Sequence, residues 1–275
     1  MDIRMRTGVE KSRVRMKRTM TFAVFMTVLI LVFPTLSGAV ITIYELSTLQ
    51  GRLAQGIAFV LAGILGLVIA KSRFGNMKYV GLDKPRVTKL SEYLWFAPLI
   101  IVEVIPLFIG IREGLSSTAI IIYLFFTAAV GFTEELYFRG IIWTALQEKS
   151  LKFAVLMSSF LFSVGHFLNL LAGASMKNTI LQVIFAFLFA LVAVGISYAT
   201  GSIAIPILWH TIHNFVSLIT VESSGRADIS IEIFLGFVLL LYGVYLWLKF
   251  VSPNEKSKSS VVVVEARSSD FYKSG

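Results

Sequence analysis

Eight apolar stretches decide what this chain can become. They run over residues 20–43, 53–70, 93–111, 117–147, 153–173, 180–200, 203–221 and 231–250. A helix needs about 20 residues to cross a hydrocarbon layer of ~30 Å, and these runs have that length. Inside lipid every backbone N–H and C=O must be satisfied within the chain, which leaves helices or closed barrels. Long unbroken apolar runs are the helical case. The expected fold class is therefore all-α, a polytopic membrane helix bundle of about eight transmembrane helices. Composition agrees: 56% of the 275 residues are hydrophobic and 15% are charged, too little polar surface for a soluble domain of this size. No internal repeat and no separate soluble domain are evident.

The basic residues set the orientation. Seven of the first eighteen residues are Lys or Arg. The apolar run behind them is longer than a signal-peptide core and no A-x-A cleavage site follows, so it reads as a retained first span. Eight spans put both termini on one side. Twenty of the 25 basic residues fall on that side: the first seven, six in the loop 71–92, Lys149 and Lys152, and Lys249 with four in the tail. Arg52, Arg112, Lys177 and Arg226 fall on the other, and Arg139 lies within the fourth run. The positive-inside rule makes the crowded side cytoplasmic, in the cell membrane. The formal charge of +9 thus reports topology. The partner it implies is the lipid bilayer, with no nucleic acid. The expected organisation is a cytoplasmic basic segment (1–19), an eight-span domain (20–251) and a disordered cytoplasmic tail (252–275).

Some features bear on packing. The run 117–147 is too long to stand upright, so it tilts, protrudes, or breaks near Gly131 or Gly140. Ala54, Ala58, Ala62, Gly66 and Ala70 repeat every fourth position, a stripe for close helix packing within the bundle. Pro34, Pro98, Pro106 and Pro206 should kink their spans. "YATGS" (198–202) makes a tight turn between the sixth and seventh runs.

The informative residues are the polar ones at membrane depth, where one charge costs at least ~2.5 kcal/mol. These are Glu103, Glu134, Glu135, Arg139, His166, His210 and His213, with Asn169 and Asn214. All three histidines of the chain are among them. Glu135 and Arg139 are four apart with the acid first, the favourable order for an intrahelical pair. Glu134 points elsewhere and needs a partner from another helix or must be protonated. Phe162 and His166 share one helix face, with Asn169 a turn further. His210 and Asn214 share another, with His213 close by. The economical packing gathers one acid and two histidines from the fourth, fifth and seventh runs into one polar pocket. A structural polar cluster, a catalytic site and a transport path all remain open on chemistry alone.

Inventory narrows the catalytic option. The chain has no cysteine, which excludes thiolate metal sites and a cysteine nucleophile. H-E-x-x-H and G-x-S-x-G are absent. The four aspartates, Asp2, Asp83, Asp228 and Asp270, lie outside the spans, so no membrane aspartate dyad exists. A carboxylate with histidines suits the activation of water, by general base or through a metal. His210 with Asn214 could supply donors to an oxyanion.

"EELYFR" (134–139), "FSVGH" (162–166) and "HTIHN" (210–214) fit E-E-x-x-x-R, F-x-x-x-H and H-x-x-x-N. Three such motifs in this order on successive membrane helices resemble the CAAX prenyl endopeptidase type II family, which includes CAAX-protease and bacteriocin-processing or self-immunity proteins. The resemblance covers about residues 117–220. It implies an intramembrane endopeptidase with a catalytic cavity open to the cytoplasm, cutting near the C-terminus of an isoprenylated or otherwise membrane-anchored protein or peptide. Carried onto this chain, Glu134 and His166 activate the water. His210 and Asn214 form the oxyanion pocket. Glu135 and Arg139 support them, with Phe162, Asn169 and His213 alongside. No cofactor is required. Zinc remains the alternative, with Glu134, His166 and His210 as its ligands. Glu103 lies outside the pattern, with Arg139 or His213 as candidate partner or protonation as the alternative. Two other classes stand against this reading: a non-catalytic membrane interaction or immunity protein of the same family, and a transporter. Transporters often show inverted halves, and none are evident here.

Overall fold

The structure, a computed structural model, describes residues 3–87, 96–147, 150–221 and 226–253. Most of the tail expected to be disordered, residues 254–275, and part of the basic loop, 88–92, lie outside the described residues, as does Lys149. Eight helices account for nearly everything described. They are α1 (Ile3–Ile43), α2 (Thr48–Phe74), α3 (Ala97–Leu107), α4 (Ser117–Gln147), α5 (Leu151–Leu170), α6 (Met176–Thr200), α7 (Ala204–Ile219) and α8 (Arg226–Leu246, extended by a π-helical turn Trp247–Val251). Six are long and apolar enough to cross a membrane; α3 and α7 are shorter, with 11 and 16 residues. The polytopic helical bundle expected from the eight runs is what the chain forms, and no strand occurs among the described residues.

The short helices have local causes. Pro106 and the turn at Gly110 (φ +130°) end α3. Gly201, at φ +67°, takes the left-handed conformation that closes the α6–α7 turn, and α7 starts at Ala204. Pro98 and Pro206 therefore do not kink spans. Each lies in the first turn of its helix, where a missing N–H loses no hydrogen bond.

Helix α4 changes its winding part-way along. It is α-helical to Glu135, passes through a π-helical turn Leu136–Ile142, and resumes at Trp143. The break falls at Gly140, not Gly131. Gly131 serves a different purpose: a Cβ there would stand 2.6 Å from Thr211 Oγ1 and 3.0 Å from its backbone N. Only a glycine lets α4 and α7 approach this closely, which brings their polar residues into range.

The small-residue stripe of α2 packs against α4. A Cβ on Gly66 would meet the Tyr137 ring at 2.5 Å, and one on Gly63 would meet Thr133 Oγ1 at 2.8 Å. Both neighbours use the space to reach carbonyls of α2: Thr133 donates to Phe59 O (2.8 Å) and Tyr137 to Ala62 O (3.0 Å). Such bonds stabilise most where no water competes.

One end of the bundle is closed. The segment after α2 forms a 3₁₀ turn, Met77–Val80, and crosses under the π turn of α4. The Val80 carbonyl lies 3.1 Å from where a Gly140 Cβ would be, and Thr144 donates to Tyr79 O (3.1 Å). Ile203 N donates to Gly81 O (3.0 Å), Arg86 N to Thr200 O (2.8 Å) and Ser202 Oγ to Asp83 O. Val80 is 1% exposed. This plug sits at the end of the bundle where α1 begins and α8 ends.

Candidate active site

The chemistry gathers where α4, α5 and α7 meet. Glu135 is fully buried on the last α-helical turn of α4. Its Oε1 stands 3.0 Å from Nη1 of Arg139, four residues on and 1% exposed, and 2.8 Å from His210 Nδ1 on α7. The expected intrahelical pair exists, but it is half of the arrangement. Glu135 bridges a guanidinium on its own helix and an imidazole on another. Spacing along one helix cannot show the second partner.

His210 Nδ1 and Glu135 Oε1 share a hydrogen bond, with the imidazole as donor whenever the carboxylate is ionised. That fixes the ring plane and turns Nε2 away, to a point 3.7 Å from Glu134 Oε2. Glu134, unlike Glu135, is partly exposed, with 21% of its side chain accessible. Adjacent helical positions are about 100° apart. One glutamate therefore enters the core while its neighbour faces a cavity.

The cavity is about 420 Å³. Glu134, His166, His210 and Asn214 all line it, with Phe138 and Phe162. The structure thus brings the four expected catalytic residues to one space. His166 lies in the 3₁₀ turn Gly165–Leu170 that ends α5, with Nδ1 3.3 Å from Phe162 O. Phe162 is the aromatic hub. Its ring lies under the Arg139 guanidinium (4.2 Å) and meets the rings of His166 (5.2 Å) and His210 (5.9 Å). Asn169 also lines the cavity and donates to Gln182 Oε1 on α6 (2.7 Å).

His213 is drawn elsewhere. Its Nδ1 is 3.1 Å from Glu103 Oε1, which also accepts from Trp209 Nε1 at 2.7 Å. Of the two candidate partners for Glu103, the structure selects His213, and it adds Trp209. Arg52 and Gln55 of α2, Gln182 of α6 and Ser217 of α7 line the cavity and were not expected there. A signal existed for Arg52, a charge at the start of an apolar span, but it reads as a loop charge when only topology is counted.

Among the described residues no three His, Asp or Glu side chains stand close enough to share a metal ion. Glu134, His166 and His210 share one cavity.

The cavity extends to one side only. From Glu134 and His210, near the middle of their helices, the lining runs to Arg52 near the start of α2 and Asn169 near the end of α5. It continues to Gln182 near the start of α6 and Leu218 near the end of α7. All these ends lie opposite the plugged end that carries the start of α1 and the end of α8.

A comparison with curated proteins finds no match. Residues 116–216 match a protein-family model described as Rce1-like, type II CAAX prenyl endopeptidase Rce1-like. The matched segment is less than half of the chain, holds α4 to most of α7, and contains all three motifs. It does not include α2, which supplies Arg52 and Gln55. The matched model describes a family of proteases, and the match lies within a chain whose long apolar helices are those of an integral membrane protein.

Proposed function

We propose that this protein is an intramembrane endopeptidase that cuts a membrane-anchored peptide with a water activated by Glu134. The observation that carries this reading is the 3.7 Å approach of Glu134 Oε2 to His210 Nε2 in a cavity also lined by His166 and Asn214. That separation exceeds a hydrogen bond, but a water at the apex of a triangle can reach both atoms at ~2.8 Å. Glu134 takes a proton from this water as the oxygen attacks the peptide carbonyl. His166 orients the water from α5. The oxyanion forms beside His210 Nε2 and Asn214.

Because His210 Nδ1 is committed to Glu135, donation to the oxyanion from Nε2 needs the imidazolium. The cluster then balances: two carboxylates face one guanidinium and one imidazolium, which limits the cost of charge in an apolar setting. The reading routes no step through a metal. The matched family name supports a peptide bond near the C-terminus of a lipid-bearing chain as the substrate class.

By the positive-inside count the termini are cytoplasmic. The cavity then opens toward the opposite face, and the substrate enters from there or laterally from the bilayer. The test is cleavage of an S-farnesylated C-terminal peptide by purified protein in nanodiscs. Glu134→Gln should lower turnover by about 10²–10⁴-fold, the usual loss for a general base, with the thermal melt unchanged. Full turnover in that variant would remove Glu134 from the chemistry. Labelling of a cysteine at Lys78 from the cytoplasm and of one at Tyr44 from outside checks the orientation; the reverse pattern would invert it.

A further inference from the structure

Arg52 is a cation in the cavity that the proposed chemistry does not use. It lies in the second turn of α2, half-buried, and lines the same space as Glu134 and His210. Its Nη1 donates to Gln55 Oε1 at 3.1 Å, and its Cζ stands 5.1 Å from the centre of the Phe126 ring. No acidic side chain pairs with it among the described residues. A charge on an apolar span normally has a counter-charge or faces a functional path. Here Gln55 holds one edge of the fork and leaves the remaining donors for an anion. A planar guanidinium matches a carboxylate in two parallel hydrogen bonds.

The position suggests which carboxylate. Phe126, Val130 and Glu134 are successive four-residue steps on α4, and all three line the cavity. At 1.5 Å rise per residue, eight residues separate Phe126 from Glu134 by ~12 Å along the helix axis. An extended peptide covers that distance in about three or four residues. Phe59, Phe126, Val130 and Leu218 form apolar walls along the way. We infer that Arg52 binds the free C-terminal carboxylate of the substrate peptide and so sets the cut three or four residues from the chain end. The identity of the ligand as a peptide rests on the endopeptidase reading above. The anchor itself lies on α2, outside the segment that matches the family.

The experiment measures binding with chemistry switched off. Glu134→Gln protein in phosphatidylcholine nanodiscs is titrated with a fluorescent hexapeptide whose S-farnesyl cysteine is fourth from the end, as the free acid and as the C-terminal amide. The free acid should bind about tenfold or more tighter than the amide, the scale of a charge-assisted contact. Arg52→Gln should bring the acid to the affinity of the amide without moving the amide, and Arg52→Lys should restore part of the difference. Equal affinity for the two peptides, no binding of the free acid, or an acid preference that survives Arg52→Gln overturns the proposal. Discs containing phosphatidylglycerol separate the other source of an anion. If Arg52 serves a lipid phosphate, Arg52→Gln shifts the melting temperature only in anionic discs and leaves the peptide ratio unchanged, which also overturns it. The two readings fail separately. Acid-selective binding without cleavage by the Glu134-intact protein removes the hydrolase and keeps the anchor; cleavage indifferent to the terminal carboxylate does the reverse.

Discussion

Helix α7 carries two acid–histidine pairs three residues apart, and they have different fates. His210 meets Glu135 at 2.8 Å and His213 meets Glu103 at 3.1 Å, each through Nδ1. Both acids come from another helix and both are buried. The difference lies on the far side of each ring. His210 turns Nε2 to a second carboxylate, Glu134, beside the cavity. His213 stacks on Phe185 at 5.3 Å and packs against Phe189 at 5.4 Å, and it does not line the cavity. Glu103 is held by two ring nitrogens, Trp209 Nε1 and His213 Nδ1. Glu135 is set against a guanidinium as well as an imidazole. The Glu103–His213 pair holds α3 against α7. The Glu135–His210 pair presents an oriented nitrogen to the cavity. An acid–histidine contact becomes a site only where the other nitrogen has somewhere to act.

Changing both histidines gives the largest expected contrast. His210→Ala should lower turnover by about 10²–10³-fold, the loss typical of one oxyanion donor, while His213→Ala should stay within a fewfold. Steady-state cleavage of the same peptide by both variants checks this, and equal losses would erase the distinction. Next in size is Glu135→Gln, which takes away the carboxylate 3.0 Å from the buried Arg139 guanidinium. Removing one partner of a buried pair costs about 3–5 kcal/mol, so a large drop in melting temperature in detergent is expected, with activity lost alongside. Glu103→Gln keeps one acceptor for two donors. It should destabilise by about 1–3 kcal/mol, the penalty of one unsatisfied buried group, with kcat nearly unchanged. A collapse of kcat in that variant would move Glu103 from holding helices to catalysis. The smallest effect is expected for Phe162→Leu, which removes the ring under Arg139 and beside both imidazoles. A cation–π contact out of water is worth about 2 kcal/mol, read as a modest loss of stability with a matching rise in the thermal motion of the site.

The sequence reached the fold through one constraint. Residues that must satisfy their backbone inside lipid form helices, and the runs of apolar residues counted them. It also reached the four cavity residues, because polar groups at membrane depth are few and helical spacing sorts them by face. Spacing failed wherever a contact joined two helices. Glu135 read as a self-contained clamp with Arg139, and its bond to His210 was invisible. Arg52 read as a loop charge, because nothing along α2 says that its face meets the cavity of α4.

What the sequence alone determined was an all-helical membrane bundle with a particular set of buried polar side chains, since hydrophobicity and helical period are properties of the chain. Tertiary structure decided the rest. It split Glu134 from Glu135, sent His213 to Glu103, and ran the cavity lining toward the end of the bundle away from the start of α1 and the end of α8. Each outcome depended on close approach between segments far apart in the chain: α4 against α7 at Gly131, and residues 77–86 lodged under Gly140. Contacts of that kind are set by shape in three dimensions, which no pattern along one helix encodes.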